Sequence, residues 1–386
     1  MSTMKALVTA EHQTAEVKDI PIPEPGLKEI RVKVHFVALN LVDSLYVAHP
    51  TDKPGRVVGS DIAGVVDKVG NDVVDWNVGD RVAGLLQGAT SGNPRPGGFA
   101  EYAILEHDLA IRIPPGVSFE EAATFPLCSL TAAQALFIRL ELEAPFSSPF
   151  KPKRIEWKAP TILVFSAATS VGLFAVELAK LLHTPTGESY RIFATASPKN
   201  HDKLLALGVE AVFDYKSPTW PEEVRKASGG ISYAVDCISE DKTTAQISQT
   251  FVDAGGKVAV IRKSAWNKDG IREGVLPIYS AAWWGLGHEI IYNDEVMPAS
   301  SIWREFTTAF YKFLSLGSES DHAVFPISGN PVRLMPGGLE GIIRDAFVLL
   351  GQGKVRERNP AVQDYAGKDW LRPISAEKLV YSLEPL

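Results

Sequence analysis

The sequence predicts an α/β protein in two parts, a β-rich barrel or sandwich and a doubly wound parallel sheet. Three observations carry that expectation. The 386 residues, at about 100–200 per domain, fill two domains or three. Residues 1–120 alternate apolar and polar positions between proline and glycine turns, the pattern of half-buried strands. From Thr161 the texture changes to short apolar strands alternating with helices at βαβ spacing, which implies a parallel sheet.

The first part reads as strands at 30–37 and 78–83, punctuated by Pro21, Pro23, Pro25-Gly26, Pro54-Gly55, Gly79-Asp80 and Pro96-Gly97-Gly98. After the turn Pro114-Pro115-Gly116 a helix opens at Phe119, and Ser118 followed by Glu121 has the spacing of a capping box. Residues 143–160, rich in proline and lysine, read as a surface loop joining the two parts. The second part holds strands at 162–165, 191–196, 211–214, 234–238 and 257–261, the last after the turn Gly255-Gly256. Its helices fall at 171–182 and 201–207, the latter stopped by Gly208. The tail carries a helix at 337–351, a polar stretch at 356–373 and a last strand at 378–382. No internal repeat is visible at any solenoid period.

Composition excludes several classes. With 45% hydrophobic and 22% charged residues the chain is neither disordered nor a coiled coil. Its 39 basic and 46 acidic residues give a net charge of −7 without long runs of either sign, which argues against a nucleic-acid partner. Cys128 and Cys237 are too few for a disulfide framework or a cysteine-built zinc site. The first residues lack the apolar core of a secretory signal, and residues 162–176 are too short and too rich in Ser and Thr to span a bilayer. The expectation is a cytoplasmic protein with no membrane partner.

The strand-turn-helix Ile-Leu-Val-Phe-Ser-Ala-Ala-Thr-Ser-Val-Gly at 162–172 sits where a dinucleotide-binding turn belongs. In such a turn glycines let the backbone approach a pyrophosphate held at a helix N-terminus. Here the three glycine positions fall on Ala167, Thr169 and Gly172, so only the last is kept. Ser166, Thr169 and Ser170 supply small side chains and hydroxyls instead; the alternative is a plain structural turn. The second strand runs into Thr195-Ala-Ser-Pro-Lys-Asn200, with no acid before Asp202. An acid there would hold the ribose of NAD, so its replacement favours NADPH with Ser197 and Lys199 on the 2′-phosphate. The competing reading is a solvated loop lysine.

At this point the chain resembles the medium-chain dehydrogenase/reductase superfamily over nearly its whole length. The N-terminal half is similar to that family's GroES-like catalytic domain through residues 26–37, Asn40-x-x-Asp43 and Gly59-Ser-Asp61-x-x-Gly64 continuing to Gly70. Val78-Gly-Asp-Arg-Val82, Gly97-Gly-Phe-Ala-Glu-Tyr102 and Ile113-Pro-Pro-Gly116 extend it, and the second half is then a Rossmann sheet. Zinc-dependent members carry a cysteine where this chain has Asn40 and a His-Glu pair at Ser60-Asp61. Cys128 lies near the third ligand position, and one soft ligand cannot hold zinc. The resemblance therefore implies a zinc-independent enzyme with no metal.

Within the superfamily the chain resembles the fungal trans-acting enoyl reductases of polyketide pathways, the lovastatin-pathway type. The segments at 194–200, 210–215, 233–238 and 377–380 carry that similarity. It implies that Ala168, Thr169, Ser170 and Val171 hold the pyrophosphate, while Ser197, Lys199, Asn200 and Tyr215 hold the 2′-phosphate end. Val42, Asp43, Ser44 and Leu45 would meet the nicotinamide ribose, and Val260, Ile261, Leu379 and Val380 would complete the cofactor cleft. That enzyme type has a lysine near the nicotinamide where this chain has Leu45, whereas its active-site threonine is matched by Thr131.

Reducing an activated C=C bond takes hydride at one carbon, stabilisation of the enolate oxygen, and a proton at the other carbon. Without a metal, hydrogen-bond donors must stabilise the oxygen. Thr131, Asn40 and Tyr46 are the candidates by motif position, Thr131 foremost; its alternative role is capping a helix turn. Cys128 is expected to line the nicotinamide pocket as a small hydrophobe. Trp283 and Trp284, in the aromatic-rich segment 279–287, are expected in a substrate pocket wall, with an interface or core role as the alternative. His49, His107 and His288 have near-neutral intrinsic pKa values but no partner at a recognisable spacing.

The expected organisation is a catalytic domain at 1–130, a nucleotide-binding domain at 131–314 and a C-terminal return to the first domain at 315–386, with the active site in the cleft between them. The expected function is NADPH-dependent reduction of a conjugated C=C bond in a secondary-metabolite or polyketide intermediate. Partners would be a small-molecule substrate, free or borne on a carrier protein or CoA, and the chain would be a monomer or homodimer. The rival enzyme is a quinone oxidoreductase. A rival of another class is a non-catalytic NADPH-binding sensor or scaffold.

Overall fold

The computed structural model describes residues 2–153, 160–184, 186–263, 267–292, 295–319, 324–355 and 367–384. Of the two polar stretches expected at 143–160 and 356–373, residues 154–159 and 356–366 lie outside the described residues. The chain forms two compact units, residues 1–127 with 283–386, and residues 128–282.

The first unit begins with the hairpin β1 (Thr3–Ala10) and β2 (Thr14–Pro21). It continues through β3 (Glu29–Ala38), α1 (Leu41–Ala48), β4 (Asp61–Val69), β5 (Arg81–Leu85), β6 (Tyr102–Glu106), β7 (Ala110–Arg112) and α2 (Phe119–Ala122). The ten-residue β3 organises the sheet: β4 pairs along one edge while β6 and the C-terminal strand share the other. Its alternate residues Ile30, Val32 and Val34 enter the core with Ile62, Val66, Val82 and Leu105. Expected strand 78–83 is displaced, because Val78 is exposed and Gly79, at φ 96°, turns the chain before β5 starts at Arg81. Ser118 caps α2 as expected, its hydroxyl accepting the Glu121 N–H at 3.2 Å.

The second unit takes over within α3 (Pro126–Ala133), which continues into a π-helical turn at Gln134–Arg139. Then come β8 (Thr161–Phe165), α4 (Ser170–Ala179), β9 (Arg191–Thr195), α5 (His201–Ala206) and β10 (Ala211–Phe213). α6 (Trp220–Ser228), β11 (Tyr233–Asp236), α7 (Thr243–Ser248), β12 (Gly256–Val260) and β13 (Val275–Tyr279) complete it. The order β10-β9-β8-β11-β12-β13, parallel throughout, is the doubly wound Rossmann arrangement. Every residue of β8 is buried, as a central strand covered on both faces requires. Phe165, Phe193, Trp220, Val224, Ile247 and Phe251 form the core around it.

The chain returns to the first unit at Trp283, not at 315, and the reason is a helix that the sequence reading passed over. After the short pair β14 (Ile290–Tyr292) and β15 (Glu295–Met297), α8 (Ser301–Ser315) buries Phe306, Phe310, Tyr311 and Leu314. It is fastened to the first unit at both ends. Arg304 bonds Asp108 at 2.6 Å and Glu106 at 2.6 Å, while Tyr311 donates to the Pro126 carbonyl at 2.9 Å. Finally β16 (Val332–Met335), α9 (Gly338–Gly341), a π-helical turn at Ile342–Ala346, α10 (Phe347–Leu350) and β17 (Lys378–Ser382) close the first unit's sheet. β17 lies between β16 and β3, so the C-terminal return is part of the seven-stranded sheet itself.

Candidate active site

In the second unit the strand order reverses between β8 and β11, and ligands bind such sheets at the carboxyl ends of the strands beside that switch. The turn leaving β8 is tied to β9: Ser166 N–H donates to Thr195 Oγ1 and Ala167 N–H to the Thr195 carbonyl, both at 2.9 Å. Ser166 adopts φ 57°, and Thr169 caps α4 by accepting the Gly172 N–H at 3.1 Å. A Cβ at Gly172 would lie 2.7 Å from both Ala167 Cα and the Ser166 oxygen. The one glycine kept from the fingerprint is therefore the one needed for helix to pack on strand. The helix N-terminus so formed carries Ala168, Thr169, Ser170 and Val171.

At the end of β9 the Ser197 and Tyr215 hydroxyls lie 3.3 Å apart. Lys199, two residues after Ser197, is exposed and, among the described residues, makes no ion pair; Asn200 is buried. Val260 ends β12 in the core, and the Ile261 N–H is held by Ser239 Oγ at 2.9 Å. Thr131 and Cys128 lie on α3, both nearly buried. Burial and the adjoining Asp236 push the Cys237 thiol far up, with Cys128 adding to the rise and a hydrogen bond with Thr169 opposing it. Cys128 thus sits close to the nucleotide turn.

In the first unit Asn40 and Asp43 open α1 as a capping box, the Asp43 carboxylate accepting the Asn40 N–H at 2.7 Å. Asp43 also accepts the Ser60 hydroxyl at 2.9 Å. Asn40 Nδ2 donates to Asp61 Oδ2 at 2.9 Å, the Leu127 N–H donates to Asp61 Oδ1 at 2.8 Å, and Lys378 Nζ meets Asp61 at 2.5 Å. Lys378 further donates to the Thr124 carbonyl at 3.1 Å. The Asp61 and Lys378 side chains are 0% and 1% exposed, the most buried ion pair among the described residues. Burial pushes the Asp43 carboxyl up to about 7, against the Asn40 N–H and Ser60 hydroxyl that lower it. Burial also raises Asp61, against Lys378 and Asn40.

This network alters the expected roles. The Asn40 amide and the Asp43 carboxylate face the interior, and Ser44 Oγ is spent on the Gly351 carbonyl at 2.6 Å and the Leu41 carbonyl at 3.1 Å. Half-buried Val42 and Leu45 are left as the side chains of this segment able to meet a ligand. The positions that carry zinc ligands in metal-dependent relatives offer an amide, a hydroxyl and a carboxylate already paired with an ammonium, a donor set that does not suit zinc. Among the described residues no group of three or more His, Cys, Asp or Glu is placed to hold a metal ion.

Tyr46 packs 5.8 Å from Tyr292, which meets Trp283 at 6.2 Å, so an aromatic cluster forms within the first unit. Trp284 instead packs against Trp303 of α8 in a tilted pair, ring centroids 5.1 Å apart. Leu379 and Val380 follow Lys378 in β17, and the Leu39 N–H donates to the Leu379 carbonyl at 2.9 Å. The histidines have distant partners: His49 meets the Gln352 carbonyl at 3.2 Å, His107 meets Asp75 at 2.9 Å and His288 meets Glu106 at 2.7 Å. Sequence reasoning missed Tyr292 and the pairing of Asp61 with Lys378. The latter has no local signal, since the two residues are 317 positions apart.

Among the described residues no helix is long and apolar enough to cross a membrane. Residues 26–115 match the alcohol dehydrogenase GroES-like domain. The trans-enoyl reductase ACTTS2 of Alternaria alternata is 34% identical over 345 residues, 89% of this chain and 94% of that protein. The enoyl reductase cheB of Chaetomium globosum is 32% identical over 95% of this chain and 90% of its own length. The crystal structure of the CurK enoyl reductase superposes with a TM-score of 0.70, covering 99% of both chains at 19% identity. The fold is that of the medium-chain dehydrogenases/reductases, and at these identities over nearly their whole length the chain belongs to the trans-enoyl reductase family.

Proposed function

We propose that the chain reduces the conjugated C=C bond of an enoyl thioester, borne on a carrier protein or CoA in a polyketide-type pathway, with NADPH as reductant and without zinc. Family membership supports the chemistry. The observation that carries the choice of cofactor is the Ser197–Tyr215 hydroxyl pair at the end of β9, followed two residues after Ser197 by the exposed Lys199, with no carboxylate on residues 197–200.

Bound NADPH would supply the hydride. The residues of the chain do the rest. The α4 N-terminus at Ala168 to Val171 receives the pyrophosphate, with Gly172 letting the backbone close in. Within the first unit, Val42, Leu45 and the β17 backbone at Leu379 and Val380 are the segments assigned to the cofactor; within the second, Val260 and Ile261 at the end of β12 are. In the second unit the Thr131 hydroxyl is the donor for the thioester oxygen as negative charge develops there; the first unit's own candidate donor is the Tyr46 phenol. Asn40 holds the entry of α1, its amide already engaged with Asp61. Within the first unit the Trp283, Tyr292 and Tyr46 rings provide an apolar surround that suits a greasy acyl chain, and within the second Cys128 is the small apolar side chain assigned to the nicotinamide.

The test is NADPH oxidation by the purified protein with an enoyl-CoA, an enoyl carrier-protein thioester and a simple quinone, each repeated with NADH. Turnover of thioester with a preference for NADPH is expected. Turnover of the quinone alone assigns the chain to the quinone reductases, and tight NADPH binding with no oxidation across the panel makes it a sensor or scaffold.

A further inference from the structure

The Asp61–Lys378 pair is an unusual use of a core. Two charges are taken fully out of water where an apolar pair of the same volume would serve stability as well or better. What the pair offers that an apolar pair does not is directional geometry, and its bonds tie β4 and β17 to the entry of α1 and to residues 124–127. Asp61 fixes Asn40 and the first turn of α3 through Leu127 N–H; Lys378 fixes the Thr124 carbonyl and lies next to Leu379 and Val380. Asn40 in turn is bound reciprocally to Asp43, which Ser60 anchors. Gly59, which leads into Ser60, adopts φ 103° and leaves no room for a Cβ, which would meet the Phe99 ring at 2.1 Å. The approach to the network is as constrained as its interior.

We propose that Asp43, Asp61 and Lys378 are positioning residues that hold the first unit's cofactor-facing segments, the start of α1 and the adjoining stretch of β17, in one fixed register. This rests on the proposed reading of Val42, Leu45, Leu379 and Val380. None of the three side chains touches the reactants; each acts through the segment it holds. The charges balance when Asp43 keeps its proton, leaving one carboxylate and one ammonium. Losing that proton places a second negative charge beside Asp61, with Lys378 as the cation facing both and Ser60 and Asn40 as the neutral donors around them.

The experiment uses the full chain. The double variant D61N/K378M removes both charges and leaves no buried ion unpaired. It is expected to keep a Tm near that of the wild type while kcat/KM with NADPH and an enoyl thioester falls by about 10- to 100-fold, the scale of a small misplacement of reacting groups. NADPH affinity, read directly by quenching of tryptophan fluorescence, should weaken with it. A double variant with wild-type Tm, affinity and kcat/KM overturns the inference. D43N is the second arm: wild-type NADPH affinity should decline as pH rises through 7, and D43N should flatten that decline. Identical profiles for the two proteins overturn the inference even if the double variant does not fold. Wild-type protein that binds no NADPH would instead overturn the functional reading beneath it.

Discussion

Replacing Lys199 with alanine tests the choice of cofactor most directly. The side chain is exposed and, among the described residues, has no ion-pair partner competing for it. A hydrogen bond to a charged group contributes about 1.5–3 kcal/mol, and an exposed ammonium close to phosphate belongs at the low end because water and salt screen it. At about 1.4 kcal/mol per factor of ten, K199A should raise the KM and Kd for NADPH by about tenfold. NADH lacks the 2′-phosphate, so its constants should stay within about twofold, the scatter of an exposed substitution. S197A and Y215F remove the two hydroxyls that lie 3.3 Å apart and should each cost NADPH about fivefold, less than additively when combined because they share one phosphate. Raising the ionic strength should shrink the gap between wild type and K199A. The assay is steady-state kinetics with both cofactors at two salt concentrations, supported by direct titration. Equal losses for NADH and NADPH, or no loss for either, would refute the reasoning and return Lys199 to a solvated loop.

Three further outcomes follow from the geometry. G172A forces a Cβ to within 2.7 Å of Ala167 Cα, so it should cost about 1–3 kcal/mol by overpacking, visible as a lower Tm, and should weaken NADPH binding in parallel. Burial raises the Glu106 carboxyl, but His288, Arg95 and Arg304 together outweigh it and hold it at about 2. A depressed carboxyl stabilises the fold above its unfolded value near 4.5 and loses that contribution as pH falls towards 2, so acid unfolding of E106Q should show a weaker pH dependence across this window. Cys128 and Cys237 are each 5% exposed, and the Cys237 thiol is pushed up by burial, so iodoacetamide should label neither in the folded protein and both after denaturation, as read by mass spectrometry.

The Rossmann half was legible because its strands are buried on both faces and read as apolar runs, with turns to mark their ends. β8, β9, β11 and β12 fall within one or two residues of their expected positions. The helix α8 was overlooked although Phe306, Phe310 and Leu314 recur at helical spacing; the tryptophans before it drew the segment into a pocket reading. That miss moved the return to the first unit from Trp283 to 315. Val78 has the apolar character of a strand residue, but the glycine after it decided otherwise. In the candidate site, the sequence points to Asn40, Asp43, Thr169 and Ser197 and leaves open which way each side chain faces. Lysine in a strand ordinarily points to water, and no local pattern reveals that Lys378 turns inward; its direction is decided by a carboxylate 317 residues earlier.

The place of β17 between β16 and β3 bears on how the chain is made. Synthesis proceeds from the N-terminus, and the second unit draws on a single continuous stretch, so it can fold while later residues are still being added. The first unit cannot. β3 waits for a neighbour at its residues Phe36, Val37 and Ala38 that is synthesised only after the whole second unit, and until then Asp61 has no counter-ion to enter the core with. Closing so long a loop is slow, and the exposed strand edge is a template for aggregation in the interval. Shortening the chain before Lys378 should therefore yield a folded nucleotide-binding unit attached to an insoluble sheet, even though most of that sheet was synthesised first.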